Sequence, residues 1–242
     1  LAGVPPTEAV LADMQADVAA SNATDAAYTA MDNSSFYSVT LKNFAAPWTN
    51  RDQSVFVPLN DYTATVIGMV RDDVPFNTLL SANLVYVGTG GGIPAYSPAS
   101  NDHYQALEDQ NADLKARLTA SSQTAVSGLP DSATAGVITT RAAAEAFFVA
   151  GTNRAMFRFT LLNHLCRDME QVLDTRGVPD RIRQDVSRSP GGDSRIFLNN
   201  CIGCHIGMDP LTQAFAYYTF DPVQARIVYT PGVVQPKYFN NA

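Results

Sequence analysis

Residues 201–205 read Cys-Ile-Gly-Cys-His, and no other stretch narrows the possible structure of this chain so far. Two thiols three positions apart fall on one face of a helical turn, and the next residue sets its imidazole beside them. Both sulfurs can then reach the two vinyl groups along one porphyrin edge while the histidine comes up under the iron. Cys201 and Cys204 are therefore read as the attachment points of one covalent haem c, and His205 as its proximal ligand. With 3 cysteines and 3 histidines in 242 residues, chance assembly of this pattern is rare. A structural zinc site would need two further ligands from Cys166, His103 and His164. A thioredoxin-like dithiol requires a strand before the motif in a βαβ unit, which Ile196-Phe-Leu-Asn-Asn200 does not clearly supply.

Haem c is attached outside the cytoplasm, so a periplasmic or extracellular location is expected. Charged residues are only 16% of the chain, below the usual quarter, which suits an exported surface. No apolar run of about eighteen residues occurs, so no membrane span is expected. Without a charged segment leading into an apolar one, Leu1 reads as the start of a processed product. Residues 1–140 hold 5 Lys and Arg against 14 Asp and Glu, a balance of −9. The remainder holds 11 against 9, a balance of +2. Neither half carries the basic field that nucleic acid requires. The later arginines include Arg154, Arg158, Arg181, Arg183 and Arg195. Haem propionates could use them, and so could the interleaved Asp168, Asp174 and Asp185.

The second axial ligand is harder to place. No His or Met follows Met208, and Met208 lies too close to His205 to reach the opposite haem face. His164, Met156, Met169 and His103 remain. His164 sits among Leu161, Leu162 and Leu165, where an imidazole needs a partner, and is taken as the metal ligand opposite His205. Cys166 is the odd cysteine, expected either in the apolar stripe of that helix or paired outside the chain.

Apolar periodicity predicts a mainly α protein: a helical c-type cytochrome domain over 137–242, preceded by a helical scaffold over 1–136 with long loops. Helices are expected over 5–31, beginning at Thr7-Glu8, over 77–87, 102–120, 140–148 and 153–173, and through the arginine-rich stretch to Arg188; residues 63–70 fit a buried helix about as well as a strand, and the Arg71–Pro75 stop signal favours helix. Residues 123–136 read as a polar connector between the domains. The glycine-rich run from Gly88 lacks the Lys-Ser/Thr and helix start of a phosphate cradle.

The segment from Cys201 through Met208-Asp-Pro-Leu211 to Phe220-Asp221 resembles the haem domain of the planctomycete-type secreted cytochrome c family, which shows C-x-x-C-H-x-x-M-D-P-L, alternating Phe-Ala and a closing Phe-Asp. Arg71-Asp-Asp-Val-Pro-Phe, with Leu79-Leu80 and Tyr86, is similar to the domain that precedes it. Thr212-Gln213 departs from the family, which more often has Gly there. The resemblance implies an exported haem protein and lends no defined reaction.

Three functions follow from these features. Electron transfer with a redox partner protein needs only an attached haem and an accessible edge. Peroxidase-like or gas-binding chemistry needs an open sixth position. A structural haem subunit of a homo-oligomer or larger redox assembly would account for the large N-terminal part.

Overall fold

The computed structural model describes residues 1–235. It divides into two compact units, Leu1–Thr140 and a second that begins at Arg141. The protein is mainly helical, and among the described residues there are two small antiparallel two-stranded sheets. No helix among them is long and apolar enough to cross a membrane.

The first unit opens with α1 (Glu8–Ala19), capped by the Thr7 hydroxyl, which accepts from the Val10 amide at 3.4 Å. The single helix predicted over 5–31 is two helices. Ser21 turns into the left-handed region at φ 66° and α2 (Ala23–Met31) begins beyond it. A wide π-turn over Phe36–Leu41, α3 (Lys42–Ala45) and a 3-10 turn over Ala46–Thr49 form one irregular helical run.

At the centre lies α4 (Asp61–Arg71), in which residues 61 to 69 are all buried and the Asn60 side chain caps the Thr63 amide at 3.0 Å. Its all-round burial explains its unpatterned apolar sequence. Gly68 allows the Tyr86 ring to lie on the helix, since a Cβ there would stand 2.1 Å from the ring. Tyr86 belongs to β1 (Val85–Gly88), where residues 77–87 had predicted a helix. Apart from a 3-10 turn at Phe76–Thr78, the Val-Tyr-Val run takes the extended form that suits β-branched and aromatic side chains.

The helix predicted over 102–120 is likewise split. α5 (Asp102–Asp109) and α6 (Leu114–Arg117) lead into β2 (Leu118–Ser121), which pairs with β1 in the register Val85↔Ser121. Residues 123–136 are no loose connector. They form α7 (Gln123–Ser127) and a return through Gly136, pinned by the buried Gln123. Its amide donates to the Leu84 and Gly136 carbonyls, and its oxygen accepts from Thr139.

In the second unit, α8 (Arg141–Phe147) stacks Phe147 on Phe159 of α9 (Arg154–Leu165) with 4.8 Å between ring centroids. Predicted to reach residue 173, α9 stops at Cys166, which is left-handed at φ 51°. Asp168 then starts a separate 3-10 turn, Met169–Val172, through a capping box with Gln171. The arginine-rich stretch holds only the short turn Pro179–Arg181 in place of the expected helix. Its carbonyls are gathered by Arg188, whose guanidinium donates to Val186 and Ile182 at 2.7 Å and lies over Phe197.

From Ser194 the chain is helical through α10 (Ser194–Ile196), a π-turn at Phe197–Cys201, α11 (Ile202–Leu211) and a 3-10 turn ending at Phe215. Ile182, Phe197 and Ile202 form a small core beneath this run, with Val186, Cys201 and Ile206 packed on it. A hairpin of β3 (Tyr218–Asp221) and β4 (Arg226–Tyr229), absent from the sequence expectation, follows. Its turn is closed by the Asp221 carboxylate, which accepts from the Val223 and Gln224 amides.

Candidate functional site

Cys201, Cys204 and His205 come together through local geometry alone. The π-turn delivers Cys201 as the residue before α11, and one helical turn later Cys204 and His205 follow. Both thiols are free and partly exposed. Burial raises the Cys204 thiol above its ordinary value, and the nearby carboxylates of Glu170 and Asp168 add to the effect.

His205 is held from one side. Its Nδ1 lies 3.2 Å from Oδ1 of Asp209, one turn on in the same helix. Asp209 has no side-chain exposure and takes a bidentate contact from Arg154, at 2.7 Å from Nε and 3.0 Å from Nη2. The Arg183 amide donates to its second oxygen at 3.0 Å. Burial alone would raise the Asp209 carboxyl, but the bonds from His205, Arg154 and Arg183 outweigh it and hold the group well below the usual carboxylate range. Arg154 also grips Asp185 with two bonds, at 2.7 and 2.8 Å. The buried Arg183 guanidinium reaches the Thr152 carbonyl and the Thr212 hydroxyl, and Thr212 donates back to the Asp209 carbonyl.

Asn153 sets up the approach of Arg154. Fully buried and left-handed at φ 52°, it donates from Nδ2 to the Phe215 and Tyr218 carbonyls, both at 2.9 Å. The first turn of α9 is thereby clipped to the far end of the motif helix run.

The residues present fit a covalent haem on its proximal side. The two thiols are unpaired, and the Nδ1 contact leaves Nε2 of His205 as the nitrogen for iron. Near the motif Leu173, Leu198 and Leu211 are 53%, 55% and 58% exposed. Leu173 reaches the motif itself, with Cδ2 3.0 Å from where Gly203 would carry a Cβ. Exposed leucines of this kind are what a porphyrin face would cover.

His164 is partly buried near the end of α9, and desolvation lowers its pKa from 6.5 to about 4, so its imidazole is neutral at neutral pH. α9 is joined to the motif helix through Arg154, ten positions earlier. His103 is removed from the ligand candidates: it is buried in the first unit, its Nε2 accepts from the Gly88 amide at 2.8 Å, and its Nδ1 faces the Pro94 carbonyl at 2.7 Å. Met156 is buried, with the Thr160 hydroxyl 3.8 Å from its sulfur. Cys166 is exposed and sits outside the apolar stripe expected to bury it.

Most of the arginines near the motif are paired within the chain. Arg158 binds Asp168, Arg176 binds Asp174 and Arg195 binds Asp193, in addition to the Arg154 contacts. Among the described residues no group of three or more His, Cys, Asp or Glu side chains gathers to hold a metal ion. Sequence reasoning missed Asp209 and Asn153. The signal for Asp209 was present, because a carboxylate four residues after a histidine shares its helix face. The chain matches no family model, no curated protein and no solved structure with which it was compared.

Proposed function

We propose that this chain is an exported monohaem c-type cytochrome that transfers electrons. Haem c is bound through Cys201 and Cys204, with His205 as the proximal ligand and His164 as the second axial ligand. The observation that carries the reading is the motif turn: two free thiols on one helix face, followed by an imidazole whose Nδ1 is engaged and whose Nε2 is open. When bound, haem supplies a one-electron ferric/ferrous couple. The chain's residues hold it, cover one face with apolar side chains and fix the orientation of His205. The resemblance of residues 201–221 to the planctomycete-type secreted cytochromes supports the same reading, and a redox partner protein is the expected recipient of the electron.

The test is production of the chain with a c-type haem maturation system, followed by denaturing electrophoresis and acid-acetone extraction. Haem is expected to stay with the polypeptide, and to be lost from a Cys201→Ala, Cys204→Ala chain. A wild-type chain that takes no haem, or releases all of it to acid-acetone, overturns the reading. A reduced protein that binds CO would replace electron transfer with open-site chemistry.

A further inference from the structure

We propose that Asp209 is a positioning residue for the haem iron: through its bond to Nδ1 of His205 it fixes which ring nitrogen faces the metal and feeds negative charge into the imidazole. This deepens the proposed function and rests on it.

The case is geometric. Asp209 is fully buried, and its carboxylate meets Arg154 and the His205 ring together, so its charge stands directly beside the imidazole as well as in the ion pair. Its two oxygens accept from four donors: Nε and Nη2 of Arg154, the Arg183 amide and the His205 ring. A carboxylate with that donor set is an acceptor only, so the proton in the His205–Asp209 contact belongs to Nδ1. Nε2 is then the lone-pair nitrogen, the form that binds iron. The carboxylate itself cannot turn away. Arg154 holds it with two parallel bonds, Asp185 holds Arg154 from the other side, and Asn153 anchors the start of the helix that carries Arg154.

The charge has a direction of effect. A ligand imidazole hydrogen-bonded to a carboxylate is more basic than one bonded to a neutral oxygen, and a more basic ligand favours ferric iron. The native site is therefore set towards a lower reduction potential than the same haem would have with a neutral partner at 209.

The experiment is redox titration of haem-loaded wild type, Asp209→Asn and Asp185→Asn. Asp185→Asn removes a charge of the same sign from the same network without touching His205. Asp209→Asn is expected to shift the ferrous-to-ferric ratio at fixed potential by about tenfold, equivalent to about 59 mV upward, with a clearly smaller shift for Asp185→Asn. Equal shifts in the two variants, or none in either, overturn the inference while leaving covalent haem attachment intact. A wild-type chain without haem overturns both. If Asp209→Asn does not fold, nuclear magnetic resonance of the wild-type holoprotein decides. A slowly exchanging Nδ1 proton on the iron-bound His205 supports the inference, and a rapidly exchanging or absent one overturns it.

Discussion

Replacing Arg154 with Met should destabilise the second unit far more than removing its partly exposed partner Asp185. Arg154 is shared by two carboxylates of very different burial: Asp209 has no side-chain exposure and Asp185 has 30%. Met keeps most of the aliphatic packing of the arginine, so the loss is mainly electrostatic. Asp209 would keep the His205 contact and one backbone donor but lose its only full positive partner. Leaving a buried charge in that state costs about 3–5 kcal/mol, whereas losing a rim pair such as Arg154–Asp185 costs below about 1 kcal/mol. At a urea dependence of about 1–3 kcal/mol per molar, Arg154→Met should move the midpoint down by at least about 1 M, and Asp185→Ala by much less. Acid supplies an independent check. In the native protein the Asp209 carboxyl is depressed, so its contribution is present above the unfolded value of about 3.9 and is lost as pH falls through the lower folded value. Without Arg154 less opposes the desolvation, the folded carboxyl moves up, and the part of stability lost on acidification should shrink. Far-UV circular dichroism during urea titration at neutral and mildly acidic pH measures both effects. Equal, small losses in Arg154→Met and Asp185→Ala, independent of pH, would refute the reasoning.

Gly136→Ala should unfold the first unit at lower temperature, by at least about 2 kcal/mol, because φ is +54° and the new Cβ would lie 1.8 Å from the Leu79 carbonyl oxygen. The fluorescence of Trp48, the sole tryptophan, reports on that unit. Arg181 is exposed on the turn packed beside α11, and as a haem propionate partner its replacement by Gln should lower the midpoint potential; an unchanged potential removes it from that role. For His164, Ala substitution should open the reduced iron to CO, and a low-spin spectrum indifferent to CO would transfer the ligand role to Met156. In the haem-free chain, the neutral His164 should also make stability fall as pH drops from 6.5 to about 4, by no more than about 1.4 kcal/mol per pH unit, a slope that His164→Gln should flatten.

What the sequence made legible was decided locally, and what it hid was decided by partners distant in sequence. The run 63–70 suits a buried helix about as well as a strand, and the Arg71–Pro75 stop signal after it is what tips the reading to the helix found as α4. β1 could not be read, because Val85-Tyr-Val is a short apolar run that helix and strand share; pairing with Leu118–Ser121 across two intervening helices settles it. The end of α9 shows the same division. Its apolar residues continue in register past Leu165, but the left-handed Cys166 and the Asp168–Gln171 capping box terminate it. The capping pattern is visible in the sequence, yet periodicity outweighed it. Gln123 presents the opposite case: a polar segment that looks like a connector is packed, because one buried amide satisfies three backbone and side-chain groups at once.

The site divides along the same line. Thiols and proximal imidazole occupy a single turn, so Cys201, Cys204 and His205 are placed by helix geometry whatever surrounds them. The group that orients His205 is also local, at four residues' distance, but its importance depends on Arg154, Asp185 and Arg183, which join it from far along the chain. In the haem-loaded protein those contacts would also constrain the sixth ligand. Arg154 brings the first turn of α9 to the same carboxylate that receives Nδ1 of His205, so that end of the helix would stand on the proximal side of a bound haem. His164 lies ten residues further, about 15 Å along the axis and about a quarter-turn away from the side that carries Arg154 and Arg158. That separation exceeds the thickness of a porphyrin by several-fold, so α9 can pass the haem edge and present His164 to the opposite face only if it runs across the macrocycle rather than parallel to α11. The CO response of His164→Ala therefore tests the course of α9 past the haem as directly as it tests the ligand.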